Sequence, residues 1–517
     1  MGAERHVKPA GACLVGTLAL LGSTAILALQ WTTGWPWQYA GLFSDGVSYL
    51  YMADVIGGSR DPLALTHWQQ SQFPPGYPAV LSLFGGGTLD TLRAQWVQAG
   101  TSLATALALA LWFARTAGSI AAGLALLLPC LLFPWHFPWA LELSSEPLFL
   151  ALLALCFWHA DAADEASHRL WVLALLAGLL CLVRNAGLPL VPALAAWALA
   201  RGAGRWRVLA ASALALLPML GWGIFRASVE VRAGYGDAWP LLLRVLRERP
   251  LEWVAGQFTG FAQGLSPAFP ASTASVVAGA LLLALALPTL WRGLRTRELP
   301  ALFLTGYLPL VLVWPYPAES SRLLGVALPA LLLYAWRSAV ALAVGKRMPL
   351  PTPALAALAL AAVLVPASDA WWHTLRRSVS PTIDADLGSY RRSAGWFAST
   401  DPAQFAEISH RLVLLARSAG ERVPENACIY TTQPALVSLH AHHAVRRTPP
   451  QVLDANGART ARACDYVIVS ALATLQGLNR PLHPLGSDGG LLQPLLVSRL
   501  GDPREGPVVA ALLRWRD

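Results

Sequence analysis

Carboxylates are scarce in this chain, 29 Asp and Glu among 517 residues, so where they stand is informative. One polar group begins Phe43-Ser44-Asp45-Gly46-Val47-Ser48-Tyr49 and passes Ala53 and Asp54. It continues to His67-Trp68 and Phe73-Pro74-Pro75-Gly76-Tyr77-Pro78. A second runs Trp135-His136-Phe137-Pro138-Trp139, then Glu142, then Ser144-Ser145-Glu146-Pro147-Leu148-Phe149. Further along stand Arg184-Asn185 and Pro317-Ala318-Glu319-Ser320-Ser321-Arg322. A carboxylate such as Asp45 or Glu146 can take a proton from an attacking hydroxyl or amine. A guanidinium such as Arg184 or Arg322 can hold a phosphate through paired, charge-assisted hydrogen bonds. Plainer readings stand beside these. Ser44 or Asp45 would serve as a helix N-cap, and Glu146 would favour a helix dipole. Arg322 would mark a membrane interface, and His67 and His136 would be hydrogen-bonded interface residues.

The elements that must position these groups are apolar. Hydrophobic residues make up 55% of the chain before glycine is counted, and charged residues only 13%; soluble domains hold about 45–50% apolar residues with glycine included. That excludes a disordered chain, a collagen-like chain and an ordinary cytosolic enzyme, and makes the bilayer the solvent for most of the molecule. Arg5 and Lys8 precede an apolar run over 11–31 that ends in Trp31, Trp35 and Trp37, which reads as an uncleaved first helix rather than a signal peptide. Further helices are predicted near 93–114, 117–134, 147–160, 170–183, 186–200, 208–226, 275–291, 299–315, 322–338 and 353–368. Several are shorter than the roughly 20 residues of a perpendicular span, and 170–200 also reads as one broken or re-entrant pair.

The links support this order. Arg201, Arg205 and Arg207 fall in one link, Arg292, Arg295 and Arg297 in another, and Arg337, Lys346 and Arg347 in a third, whereas 135–146 and 316–321 carry no Lys or Arg. The positive-inside rule then keeps the N-terminus cytoplasmic, and an odd number of spans puts the C-terminal region outside. The net charge of +9 reads as topology rather than as a nucleic-acid surface. Two outer stretches are long, 32–92 and 227–272; the second has an amphipathic centre over Trp239–Trp253 whose Arg244, Arg247 and Arg249 suit a helix in the headgroup layer.

From Trp371 onward charges and His become common. Helical spacing covers Ala403–Ser418, and β-like runs follow at Cys428–Thr432, Tyr466–Ser470 and Val508–Arg514. The fold class is therefore mainly α: a polytopic membrane helix bundle of about 11 transmembrane helices, interfacial helices in the outer loops, and a small C-terminal extracytoplasmic α/β domain. The domain division is 1–370 and 371–517. Cys13, Cys130, Cys156 and Cys181 read as small core residues, while Cys428 and Cys464 are either a disulfide in an extracytoplasmic tail or two buried thiols. No Cys-x-x-Cys or His-x-x-x-His pair suggests structural zinc. On this topology the two carboxylate groups and the Arg residues share one membrane face, a combination suited to moving a group off a lipid phosphate.

The sequence resembles the GT-C superfamily of polytopic glycosyltransferases, in the branch of protein mannosyltransferase-like and aminoarabinose transferase-like enzymes. The matching features are Asp45 with Tyr49 and Ala53, the Pro-Pro-x-Tyr-Pro segment from Pro74 to Pro78, and Ser145-Glu146-Pro147-Leu148-Phe149. An Arg-x-x-Gly-Leu segment from Arg184 to Leu188 follows, and then Arg322 ahead of Pro329. The resemblance implies a polyprenyl-phosphate sugar donor, inversion at the sugar carbon and a catalytic carboxylate at Asp45. Many members carry a second acidic residue directly after that Asp; here it is Gly46, so Glu146, with Glu142 behind it, is the expected second carboxylate. Arg322 and Arg184 are expected to bind the donor phosphate, and Tyr49, His67 and Tyr77 to serve the acceptor or a secondary site. Some relatives use a divalent metal and others do not. The implied partners are the polyprenyl-phosphate sugar, membrane lipid and an extracytoplasmic lipid, glycan or protein acceptor, in a bacterial inner membrane. A transporter or flippase for lipid-linked glycans is the rival from another class, and an oligosaccharide polymerase or ligase would share the donor chemistry.

Overall fold

The computed structural model describes residues 45–58, 73–88, 90–131, 143–161, 166–228, 242–243, 246–248, 250–264, 273–314 and 317–345, with parts of 17–28. In the C-terminal region it describes 402–424, 426–431, 434–441, 444–447, 464–471, 492–499, 504–505 and 507–515. The expected helix at 353–368, His67, His136, Glu142, Arg244 and Arg249 lie outside the described residues. The chain is mainly helical, with one small sheet near its C-terminus. It divides into two compact units: residues 1–32, 73–80 and 96–375, and residues 33–72, 81–95 and 376–517.

Among the described residues up to 345 the helices include α1 (Gly46–Ile56), α2 (Gly76–Leu83), α3 (Thr91–Ala117), α4 (Ile120–Leu131), α5 (Glu146–Asp161) and α6 (Ala166–Val183). They continue as α7 (Leu190–Ala200), α8 (Arg205–Ser228), α9 (Pro250–Gly264), α10 (Thr273–Arg295), α11 (Leu299–Leu312) and α12 (Pro317–Gly345). Among the described residues three stretches are long and apolar enough to cross a membrane: Leu92–Ala117, Arg205–Phe225 and Arg322–Leu342. Shorter apolar helices accompany them at Ala122–Leu131, Arg169–Val183, Asn185–Ala200 and Leu299–Leu312. The 170–200 region is two helices, α6 and α7, parted by a turn at Asn185–Gly187.

Local chemistry explains the breaks. Arg184 is extended (φ −152, ψ 139), so the α6 path cannot continue through it. Pro189 sits just ahead of α7, where a missing N–H is harmless. Gly118 (φ 63) and Gly202 (φ 80) close α3 and α7 in the left-handed conformation that a side chain resists. Arg201 lies 4.4 Å over the Trp197 ring and Arg295 5.1 Å over Trp291, so cations cap the apolar ends of α7 and α10.

Within the first unit α10 packs along α12, α6 along α8 and α5 against α6. An aromatic column links α3, α5 and α11: Trp112 to Phe157 at 5.0 Å, Phe157 to Phe303 at 5.9 Å and Phe303 to Tyr307 at 5.1 Å between ring centroids. The Pro-Pro-Gly-Tyr-Pro segment meets the end of α6 at close range. A Cβ on Gly76 would fall 2.8 Å from the Leu182 carbonyl carbon and oxygen. Gly76→Ala must therefore push two backbones apart. It is expected to destabilise by about 1–3 kcal/mol, read as a lower Tm in detergent; an unchanged Tm would contradict the close approach.

The second unit holds α1, the C-terminal helices α13 (Pro402–Arg422) and α14 (Pro434–Ala441), and strands β1 (Cys428–Thr431), β2 (Ala444–Arg447), β3 (Tyr466–Ser470), β4 (Leu492–Arg499) and β5 (Val508–Trp515). The strand order is β2-β1-β3-β5-β4. β1 runs parallel to both neighbours, with Ile429 opposite Tyr466, and β5 is antiparallel to β3 and β4. α13 buries Ile408, Leu412, Leu415, Ala416 and Ala419, the 3.6-residue stripe that its spacing predicts. Tyr51 of α1 donates to Ser438 Oγ of α14 at 2.9 Å. Cys428 and Cys464 form a disulfide across 36 residues, resolving the two alternatives for that pair. Replacing both with Ser is expected to cost about 2–4 kcal/mol by releasing this loop. The check is the Tm of the full chain with and without reductant; a double variant as stable as the oxidised protein would contradict it.

Candidate active site

Glu146 is the first residue of α5, and Pro147 follows it. That opening suits a helix start: Pro lacks the N–H that would be left unpaired, and a carboxylate favours the positive end of the dipole. Ser145 supplies the carbonyl that accepts the Phe149 N–H at 3.0 Å. Glu146 is only 1% exposed, and a buried carboxylate demands cations.

Two guanidiniums answer that demand, from positions far apart in sequence. Arg184 Nη1 lies 2.7 Å from Glu146 Oε1, and Arg322 Nε donates to the same oxygen. Arg184 Nη1 also donates to Ser145 Oγ at 3.0 Å. The extended conformation that ends α6 directs Arg184 here, and Arg322 arrives near the start of α12. Tyr307 of α11 fixes that start: it is fully buried and its hydroxyl donates to the Leu323 carbonyl at 2.9 Å. Among the described residues the cluster joins two cations to one anion, and Glu146 Oε2 is buried with no hydrogen-bond partner.

The loop ahead of Glu146 is held in turn. Gln98 of α3 accepts from the Tyr77 hydroxyl and from the Ser144 N–H at 3.4 Å, and donates to Ser144 Oγ at 3.3 Å. Tyr77, Gln98 and Ser145 are fully buried.

The structure thus brings Glu146, Arg184 and Arg322 together and ties Tyr77 to the loop that carries Glu146. Asp45 and Tyr49 belong to the second unit. Asp45 occupies the N-cap position of α1, yet its side chain makes no capping hydrogen bond to that helix. Tyr49 is buried within α1. Asp54, lower on α1, accepts the Thr88 N–H at 3.1 Å and the Thr88 hydroxyl, a loop-holding role. Sequence reasoning passed over Gln98 and Tyr307, because a single polar residue inside an apolar helix has no spacing signature. A second ionic cluster was also passed over. Arg337 of α12 pairs with Glu298 at 2.6 Å, Tyr334 donates to Glu298 at 3.0 Å, and Asp161 accepts from Thr116 at 2.8 Å and Trp112 at 3.2 Å. No group of three or more His, Cys, Asp or Glu gathers among the described residues.

No protein-family model matches the chain, and no curated protein sequence gives a significant match. Solved structures do. ArnT from Cupriavidus metallidurans, bound to undecaprenyl phosphate, superposes with a TM-score of 0.50 at 14% identity over 96% of this chain and 97% of that one. The oligosaccharyltransferase of Archaeoglobus fulgidus, solved with zinc and sulfate, gives 0.51 at 13% identity over 89% of this chain and 68% of that one. AglB from the same archaeon, solved with an inhibitory peptide and a dolichol-phosphate, gives 0.50 at 14% identity over 90% and 70%. The chain shares the fold of these ArnT and oligosaccharyltransferase structures. At these identities the likeness is one of fold, and the residues above carry the rest of the argument.

Proposed function

We propose that the protein is an integral membrane glycosyltransferase that moves a sugar from a polyprenyl-phosphate donor to an extracytoplasmic acceptor. The observation that carries the reading is the Glu146 carboxylate held between Arg184 and Arg322, a buried cationic site in a chain with the GT-C fold. Phosphate, like a carboxylate, fits paired guanidiniums. The similar ArnT structure holds undecaprenyl phosphate, which supports the same class of donor here. In the proposed reaction an acceptor hydroxyl or amine attacks the sugar carbon from the face opposite the phosphate. The new bond to the acceptor forms, the carbon–oxygen bond to phosphate breaks, and the configuration inverts. Asp45 takes the acceptor's proton, and Arg184 and Arg322 hold the departing polyprenyl phosphate. Glu146 keeps the two guanidiniums side by side; an oxygen already engaged by two cations is a poor proton acceptor. The Arg-rich links support a cytoplasmic N-terminus, and the disulfide supports a tail outside the cytoplasm.

The test is transfer by purified protein supplied with a radiolabelled polyprenyl-phosphate sugar and a bacterial lipid extract. A labelled product of inverted configuration is expected. Movement of intact donor across proteoliposomes with no product would overturn the enzyme in favour of a transporter.

A further inference from the structure

We propose that Gln98 is a positioning residue for the phosphate-binding arginines, held in place by Tyr77. The inference rests on the phosphate reading above and adds the device that sets its geometry.

Gln98 lies in a helix apolar enough to span the bilayer and is fully buried. An amide there is expensive unless its donors and acceptor are matched, and leucine would pack the same volume without that demand. Instead the amide takes both ends of one residue, Ser144, through its N–H and its hydroxyl. Two residues later comes Glu146, whose carboxylate binds both guanidiniums. Between them Ser145 Oγ accepts from Arg184 at 3.0 Å. The loop that Gln98 templates therefore touches both members of the pair.

The same proline-flanked segment reaches Arg184 from the other side. Tyr77 donates to Gln98, and its neighbour Gly76 abuts Leu182 and Val183, the last residues before Arg184. One short segment thus touches both the Gln98 that holds the Glu146 loop and the chain that leads into Arg184. Displacement of Glu146 or Arg184 by about 1 Å would spoil a paired contact to phosphate, and misplacement of that size can be worth on the order of a hundredfold in a positioned site.

The test separates geometry from stability. Gln98→Leu removes the acceptor of the Tyr77 hydroxyl and both contacts to Ser144, and is expected to lower both Tm and affinity for undecaprenyl phosphate. Tyr77→Phe combined with Gln98→Leu removes the mismatched hydroxyl as well, which restores part of the stability while the Ser144 N–H and hydroxyl still lack Gln98. This double variant is expected to recover part of its Tm yet bind undecaprenyl phosphate about ten- to a hundredfold more weakly. If affinity recovers with Tm, Gln98 is merely structural and the inference falls. If neither Gln98 variant folds, Tyr77→Phe alone decides: weaker binding at an unchanged Tm supports the inference, and wild-type binding overturns it. Arg322→Gln is the control. Loss of binding in that variant beside wild-type binding in the double variant sinks only the role of Gln98. Wild-type binding in Arg322→Gln sinks the phosphate reading itself.

Discussion

Arg322→Gln is expected to lower the affinity for undecaprenyl phosphate by about a hundredfold and to abolish detectable transfer. The substitution removes one of the two guanidiniums that meet at Glu146, and with it one charged fork for the phosphate. It also withdraws one of two cations from a carboxylate that is 1% exposed. Breaking a buried ion pair from one side costs about 3–5 kcal/mol, so Tm should fall as well. Affinity and Tm are therefore read side by side. Arg322→Gln with Glu146→Gln also strips Arg184 of its carboxylate, so it should lower both Tm and affinity. Arg322→Lys keeps the charge as a point and loses the planar fork, so it should retain part of the affinity. Binding to immobilised or fluorescent undecaprenyl phosphate in detergent measures all three. Wild-type affinity in Arg322→Gln would remove the cluster from donor recognition.

Asp45→Asn is expected to lower kcat by about 10²–10⁴-fold, the usual worth of a positioned general base, while donor affinity and Tm stay near their wild-type values. The structure makes this substitution informative. Asp45 stands at the N-cap of α1 without a side-chain capping bond, and Asn is as good an N-cap as Asp. A capping service at that position survives the change, whereas the negative charge and proton acceptance are lost. Single-turnover transfer with saturating donor measures it. Equal rates in the two proteins would remove Asp45 from the chemistry.

Much of the helical part was legible because long apolar runs have no other stable home. The predicted 147–160 and 299–315 became Glu146–Asp161 and Leu299–Leu312. The sheet was legible only in its centre. Cys428–Thr431, Tyr466–Ser470 and Val508–Trp515 follow the predicted runs, but Ala444–Arg447 and Leu492–Arg499 were passed over. Both are edge strands. One is four residues long and half arginine, and the other contains Pro494 beside a bulge. Charge, brevity and proline hide a strand from pattern reading, and they are also what an edge needs to avoid pairing with another chain. In the candidate site the charged residues were legible by their scarcity. Their grouping was not, since Glu146 and Arg322 stand 176 residues apart, and the uncharged groups that hold them carry no pattern at all.

Helix α12 is keyed twice along its length. Arg322 and Arg337 each lock to a carboxylate from a different helix, Glu146 and Glu298, about 22 Å apart at 1.5 Å per residue. A rod keyed at two heights can neither spin nor ratchet by one turn of about 5.4 Å without releasing both keys at once. Elements that pack on α12 therefore lean on a fixed spindle, pinned at two heights by carboxylates at the starts of two neighbouring helices.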